Sequence, residues 1–153
     1  MKIFIIFLLF FSLNCIEEIE YRIVHRIIAR VLDKFSVKFN KTTGITAEYE
    51  EYTSINEIDE TLEGPTSKGK KLYNLTSEDL GLPSLKDLFK LFNKISFPEE
   101  TNWTDKFLYD IPIWHLIVDG KDYYSNVGTE FKAKFNEIVN INNIMKYCKD
   151  NYN

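Results

Sequence analysis

The sequence predicts an α/β fold, a small mixed sheet with helices packed on it, and an α+β fold is the alternative. One observation is the run Ile113–Val118, which is rich in β-branched and aromatic residues and is followed at once by Asp119-Gly120, a strong hairpin-turn signal. The other is Glu17–Phe35, whose apolar residues recur at four-residue steps, as in an amphipathic helix. Strand and helix signals thus follow one another within 153 residues, a length that suits a single ordinary domain.

The composition excludes several classes of protein. With 44% hydrophobic and 15% aromatic residues, the chain has enough apolar surface to fold rather than stay disordered. Its formal charge of −4 gives no general attraction to nucleic acid, so we expect no nucleic-acid partner. Cys15 and Cys148 are the only cysteines, which leaves no C-x-x-C pair, no zinc spacing and no disulfide framework. We therefore expect neither a metal nor a cofactor, and a Cys15–Cys148 disulfide only if the mature chain retains Cys15.

The first fifteen residues have the pattern of a secretory signal. Lys2 is followed by nine apolar residues, Ile3–Phe11, and then by Ser12-Leu13-Asn14-Cys15. The apolar run is too short to span a bilayer. We therefore expect residues 1–15 to be a signal peptide that directs the protein to the secretory pathway or the extracellular space. The alternative is that these residues form the first strand of the sheet, in which case the protein would be cytoplasmic.

Residues 16–63 are predicted to form a helix followed by a hairpin. The apolar steps of the helix are Ile19, Ile23, Ile27, Val31 and Phe35. His25 is expected on the helix surface, because no second metal-ligating residue with the right spacing accompanies it. Alternating apolar residues on both sides of Asn40–Gly44 predict two strands joined by a turn that contains glycine. Residues 64–71, with two glycines and a proline, are predicted to be a linker.

Residues 70–153 are predicted to have the order strand, helix, strand, hairpin, helix. Ser84 is predicted to cap the first helix, whose apolar stripe is formed by Leu85, Leu88, Phe89 and Phe92. The other elements are strands at Leu72–Leu75 and Ile95–Phe97, the hairpin around Asp119-Gly120, and a helix at Thr129–Tyr147. Asparagines at positions 140, 142 and 143 weaken the middle of that last helix. His115, in the first strand of the hairpin, is expected to be a core or half-buried histidine that is hydrogen-bonded to the backbone.

Part of this region is similar to the second half of small glutaredoxin-like proteins. The matching residues are Ile95-Ser96-Phe97-Pro98-Glu99, Trp103, Lys106-Phe107 and Tyr109-Asp110-Ile111-Pro112-Ile113-Trp114-His115-Leu116, with Asp119-Gly120 a few residues on. The resemblance implies the thioredoxin fold, with a strand, a short helix, a cis-proline before the third strand, a hairpin and a closing helix. Residues 70–153 would then be a thioredoxin-like domain, to which the N-terminal helix and hairpin are added. In the alternative register, the N-terminal elements supply the family's first helix, and the sequence does not separate the two.

The resemblance implies a binding role rather than dithiol redox activity. If residues 1–15 are the first strand of the sheet, Ser12-Leu13-Asn14-Cys15 falls where the family carries its C-x-x-C motif, and a serine hydroxyl cannot form a mixed disulfide. Any remaining thiol chemistry would depend on Cys15 alone. Pro112 would be the family's cis-proline, and Asp110, Ile111 and Pro112 would form the loop that contacts the extended backbone of a protein or peptide partner.

The alternative function is a secreted, glycosylated interaction or structural protein with no redox ancestry. Three sequons, at Asn40, Asn74 and Asn102, provide glycan acceptors if the chain is secreted. In this interpretation Asp110-Ile111-Pro112 is only a turn. The sequence leaves both functions open, and both favour a binding protein over an enzyme.

Overall fold

The computed structural model describes residues 15–27, 30–53, 66–99, 113–125 and 128–153, which form one six-stranded sheet and three helices. The strands are β1 (Glu18–Ile27), β2 (Arg30–Asn40), β3 (Gly44–Tyr52), β4 (Ser67–Leu75), β5 (Ile113–Val118) and β6 (Lys121–Ser125). The helices are α1 (Leu85–Phe92), α2 (Glu130–Val139) and α3 (Ile141–Asp150). Across the sheet the strand order is β4-β3-β2-β1-β5-β6.

The predicted α/β, thioredoxin-like fold is wrong. Every pair of neighbouring strands is antiparallel, whereas the prediction required a mixed sheet flanked by helices. Strands hold 45% of the described residues and helices only 26%. The glutaredoxin-like resemblance therefore implies a fold that this chain does not have.

The predicted helix at Glu17–Phe35 is also wrong, because this stretch forms β1 and the first half of β2. Ile23 and Phe35 are direct cross-strand partners, and Ile19 lies on the same face of the sheet. Side chains alternate along a strand with a period of two, so residues four apart share a face. The four-residue spacing therefore fits a strand as well as a helix. Glu20 and Arg22, between the apolar positions, point to the opposite face.

Both predicted hairpins are confirmed. Asp119 and Gly120 have φ values of 47° and 83°, the two positive values that a type I′ turn requires. The turn between β2 and β3 ends at Gly44, whose φ of 102° is accessible to glycine without steric cost. The Asn40 side chain stabilises this turn, since its Oδ1 accepts hydrogen bonds from the amides of Thr42 and Thr43, each at 2.9 Å.

The helices pack on one face of the sheet around a cluster of buried phenylalanine rings. Phe92 of α1 lies between Phe39 of β2 and Phe135 of α2, with ring centroids 5.5 Å and 5.6 Å away. Nearer β6, the ring of Trp114 in β5 contacts Phe131 of α2 at 5.8 Å. Burying one such aromatic side chain contributes about 2–3 kcal/mol. This cluster therefore fixes the helices to the sheet.

Helix α1 is confirmed, but the strand predicted directly after it is wrong. Ser84 caps α1, because its Oγ accepts a hydrogen bond from the amide of Asp87 at 3.2 Å. Residues 95–97 pair with no strand of the described chain; instead the Ile95 amide donates to the carbonyl of Phe92, which continues the helix end as a turn. The apolar side chains at this position face the core without joining the sheet.

The helix predicted at Thr129–Tyr147 is interrupted at Asn140, where α2 ends and α3 begins. Asn140 has a left-handed backbone, with φ 49° and ψ 74°. Asparagine tolerates this conformation better than most residues, and its Oδ1 here accepts a hydrogen bond from the Asn143 amide at 3.4 Å. None of the helices in the described ranges is long and apolar enough to cross a bilayer.

Several sequence predictions fall outside the described residues. They are the signal peptide as far as Asn14, the cis bond before Pro112, the contact loop at residues 110–112 and the sequon at Asn102. Residues 54–65 also lie outside the described residues. β4 begins at Ser67, which is within residues 64–71, the stretch predicted to be a linker.

Candidate functional site

The face of the sheet that the helices leave uncovered, called the open face below, contains a cavity of about 340 Å³. The cavity lies over β1, β2, β3 and β4, and alternation along these strands directs its side chains away from the core. Six of the lining residues are ionisable: Glu20, Arg22, Lys34, Glu48, Glu50 and Lys70.

The strand register explains why a depression forms here. Ser36 of β2 lies directly between Arg22 of β1 and Glu48 of β3. Cross-strand neighbours on one face stand about 5 Å apart, so a short side chain between two long ones leaves space above it. Ser36 therefore forms the floor of the cavity, and its neighbours form the walls.

An ion pair with a buried carboxylate fixes the position of Arg22. The Glu20 side chain is buried, with the residue 7% exposed, although it belongs to the open face. Arg22 donates to it twice, from Nε to Oε1 at 2.7 Å and from Nη2 to Oε2 at 3.1 Å. This hydrogen bonding raises the pKa of Arg22 above its ordinary value. Since the Arg22 side chain is still 55% exposed, the guanidinium is both held in position and open to a ligand.

The remaining charges around the cavity are also partnered, and the six ionisable groups balance in sign. Lys70 Nζ lies 3.1 Å from a carboxylate oxygen of Glu48. A hydrogen bond from Ser67 lowers the pKa of Glu50, so this carboxylate is charged at neutral pH. Three cations and three anions give little net attraction for a simple ion. The arrangement instead matches a polar ligand that carries both signs of charge or many hydrogen-bonding groups.

The open face becomes less charged toward β5 and β6. Ile113, Ile117 and Tyr124 are half-buried there. His115 stacks on the Tyr124 ring at 5.5 Å, and its Nδ1 lies 3.1 Å from the carboxylate of Asp122. His115 is therefore half-buried, as the sequence predicted, but its partner is a side-chain carboxylate rather than the backbone.

A second polar cluster lies at the end of the core, where β1 and β2 meet α3. Asp33 is 8% exposed, and its two carboxylate oxygens contact three different elements. His25 Nδ1 of β1 lies 2.5 Å from Oδ1, while Lys149 Nζ of α3 lies 3.2 Å from Oδ2. The Tyr49 hydroxyl of β3 also donates to Oδ2, at 3.4 Å. Burial alone would raise the pKa of Asp33, but His25 and Lys149 together hold it below the ordinary value.

This Asp33 cluster contains a carboxylate–imidazole pair of the kind that orients a general base. A nucleophile or a substrate cavity would also be needed, and neither described cavity is lined by His25 or Asp33. The contacts instead join β1, β3 and α3, which is a structural role. The sequence analysis missed this cluster and expected His25 on a helix surface. The pairing depends on the β1–β2 register, which the sequence alone did not reveal.

The two cysteines do not form a thiol site. Cys15 is exposed, Cys148 is completely buried, and the two are not bonded to each other. Burial raises the pKa of Cys148 to about 11, so its thiol is protonated at neutral pH and is a poor nucleophile. The contact loop at Asp110, Ile111 and Pro112, which would face such a site, lies outside the described residues.

The two described sequons differ in how accessible their asparagines are. Asn74 lies on β4 and is exposed. The Asn40 side chain is half-buried and occupied on both sides, because its Nδ2 donates to Glu18 at 2.9 Å while its Oδ1 closes the adjoining turn. In the part of the chain that the structure describes, no group of three or more His, Cys, Asp or Glu side chains is arranged to hold a metal ion.

Comparison of this chain with known proteins finds no relative. The chain matches no protein-family model, no curated protein and no solved structure.

Proposed function

We propose that the protein is a secreted binding protein, without catalytic activity, whose open face receives a polar segment of a partner protein. The observation that carries this proposal is the cavity of about 340 Å³ on the face that the helices leave uncovered. Its volume is within the usual range for ligand sites, about 300–1,000 Å³. Six of its ten lining residues are ionisable and three are apolar, a mixture that fits a polypeptide segment better than a lipid-like molecule.

The fixed geometry of the charges supports a binding role. Arg22 is held by two hydrogen bonds from its guanidinium to Glu20, and Lys70 is held near Glu48. Side chains that are ordered before binding lose less conformational entropy when a ligand arrives. The sheet beneath them is paired on both sides of β1, β2 and β3, which keeps the cavity in shape.

Secretion and glycosylation are part of the same proposal. They rest on the signal-like pattern of residues 1–15 and on the exposed sequon at Asn74. The chemistry of the two thiols gives no support to a redox enzyme, because Cys148 is buried and Cys15 has no partner thiol in reach.

Peptide selection with a blocked cavity tests the proposal. A phage-displayed library of random peptides would be panned on the wild-type protein and on Ser36→Trp, which places a large ring over the floor of the cavity. Tryptophan is well suited to strands, so this variant is expected to fold. Ser96→Trp is the matched control, since Ser96 is exposed and lies at the second cavity, beside Pro98 and Thr129.

We expect selected peptides that bind wild type and Ser96→Trp equally but bind Ser36→Trp at least tenfold more weakly. Circular dichroism would confirm that both variants are folded. A selection that yields no binders, or only binders that are indifferent to Ser36→Trp, contradicts the proposal.

A further inference from the structure

β4 and β6 are the two edges of the sheet, and neither has a partner strand on its outer side among the described residues. At the β6 edge, Lys121 Nζ donates to the carbonyl of Glu99 at 2.9 Å, and the Tyr123 ring packs against Phe97 at 5.4 Å. At the β4 edge, the structure describes no strand or loop of the chain paired with the outer side. Leu72 of β4 is a large hydrophobic residue, yet it is 68% exposed, unlike the other large hydrophobic residues of the described chain. Leu72 is therefore an exposed apolar side chain on an edge with which no described residue pairs.

β4 is held firmly in place from the side of the core. The Tyr73 hydroxyl donates to the carbonyl of Cys148 in α3 at 2.7 Å. Just beyond α3, the Tyr152 hydroxyl donates to the carbonyl of Gly69 at 2.5 Å. A strand fixed in this way can pair with a further strand without first being ordered, which lowers the entropic cost of binding.

The part of β4 that is available for pairing begins at Lys70. Gly69 has φ 115°, and its amide and carbonyl already bond to the hydroxyls of Ser67 and Tyr152. From Lys70 to Leu75 the strand pairs regularly with β3. In an antiparallel ladder, alternate residues direct their N–H and C=O groups away from the neighbouring strand, and these groups can bond to another backbone.

The charge of this edge selects the kind of strand that could pair with it. β4 contains Lys68, Lys70 and Lys71 and no acidic residue. Lys70 Nζ pairs with Glu48, yet the Lys70 side chain is still 57% exposed. Lys71 Nζ donates a hydrogen bond to the carbonyl of Asn151. Edge lysines discourage pairing with neutral or basic strands. An acidic strand would instead be attracted, because opposite charges on adjacent strands stabilise the pair.

We propose that β4 is a docking edge for an extended acidic segment of a partner protein. Acidic residues of that segment lie beside Lys70 and Lys71, and an apolar residue lies beside Leu72. The segment adds a seventh strand to the sheet, with main-chain hydrogen bonds giving affinity and the side chains giving specificity. Lys70 also lines the open-face cavity, but the backbone of the β4 edge lies away from the cavity floor at Ser36, and docking there does not depend on the cavity being occupied.

The test uses a synthetic peptide designed for an antiparallel register against β4. Its sequence is Thr-Thr-Val-Val-Asp-Asp-Thr, which puts the valines beside Leu72 and Tyr73 and the aspartates beside Lys70 and Lys71. The control peptide has lysines in place of the aspartates. The protein would be produced both in bacteria, where Asn74 carries no glycan, and in glycosylating cells, because the proposed glycan lies on the same strand and the preference must be present in both. Fluorescence polarisation with labelled peptides is expected to show at least tenfold tighter binding of the acidic peptide.

Variants of the protein locate the binding. Lys70→Glu is expected to remove the tenfold preference for the acidic peptide, and Leu72→Thr to weaken acidic-peptide binding about fivefold. Lys134→Glu, the same charge change on the surface of α2, should leave the preference intact. Ser36→Trp should also leave it intact, which separates this edge from the open-face cavity.

Three results would overturn the proposal. They are equal binding of the two peptides by the wild-type protein, an unchanged preference in Lys70→Glu, and loss of binding in Ser36→Trp. Circular dichroism of each variant shows whether the fold is retained, and amide hydrogen exchange provides an independent measurement. Slower exchange at Lys70–Leu75 with the acidic peptide is expected, whereas unchanged exchange there contradicts the docking edge.

Discussion

Replacing Asp33 by asparagine tests whether one buried carboxylate joins α3 to the sheet. Asp33→Asn keeps the size of the side chain but removes its charge. The contact with Lys149 then loses its ionic part, and His25 and Tyr49 face a neutral side chain in place of a carboxylate. We expect the free energy of unfolding at pH 7 to fall.

The expected loss in the free energy of unfolding depends on whether Lys149 can regain water when the charge of Asp33 is removed. Removing one member of a fully buried ion pair costs about 3–5 kcal/mol, because the other member stays buried without a partner. Here the Lys149 side chain is 40% exposed and can regain water. Hydrogen bonds to charged groups contribute about 1.5–3 kcal/mol. We therefore expect a loss of about 2 kcal/mol, or a decrease of about 6 °C in Tm for a chain of this size.

The loss should also depend on pH. In the folded protein the pKa of Asp33 lies below its ordinary value, which is about 3.9 in an unfolded chain. A lowered folded pKa means that the charged carboxylate stabilises the fold fully above about pH 4, and that this stabilisation is lost as the pH falls through the folded pKa. The difference in stability between wild type and Asp33→Asn should therefore be largest near neutral pH and should decrease below pH 4.

Urea unfolding, followed by the fluorescence of buried Trp114, would measure both effects. Asp150→Asn is the matched control, since Asp150 pairs with Lys146 on the exposed surface of α3, and its midpoint should barely change. A loss below about 0.5 kcal/mol at pH 7, or a difference that is the same at pH 7 and pH 3, would refute the role given to Asp33.

Four further predictions concern single positions. Asn140→Ala should destabilise the fold by about 1–2 kcal/mol and Asn140→Gly by less than about 0.5 kcal/mol, because glycine accepts the left-handed backbone at no cost; urea midpoints that are equal for the two variants contradict this. Phe135→Ala should cost about 3–5 kcal/mol in the same assay, and a value below about 1 kcal/mol would show that the ring cluster adds little. In the native protein, Cys148 should react with a thiol reagent only after unfolding, and labelling at the rate of an exposed thiol would be inconsistent with its burial. After secretion from glycosylating cells, intact-mass analysis should find a glycan that Asn74→Gln removes, and an unmodified Asn74 would count against the secreted glycoprotein.

The parts of the fold that the sequence predicts are those that local chemistry determines. The turn at Asp119-Gly120 needs two positive φ values, and the start of α1 needs the hydroxyl of Ser84, so both are visible in a few adjacent residues. The pairing of β1 with β2 has no such mark. Ile28-Ala29, between these strands, contains none of the usual turn residues, and the apolar spacing on either side fits a helix equally well.

The candidate site was harder to predict, because its residues meet only through the register of the strands. Arg22, Ser36 and Glu48 come from three strands, and nothing in their local sequence marks them as neighbours. Asp33 and Lys149 are even further apart along the chain. Pro112 and the cysteines carry recognisable motifs in the sequence, whereas the observed cavity is formed mainly by ordinary charged residues.

The position of β1 has a consequence for how the chain folds. β1 to β4 form a meander in which each strand pairs with the next, and such local contacts form quickly. The other side of β1 pairs with β5, where the Glu17 amide bonds to an Asp119 side chain 102 residues further along the chain. Closing so long a loop is entropically costly, so we expect the meander to form first. Until β5 arrives, the future centre of the sheet is an open edge, and at this stage a second chain could compete for it.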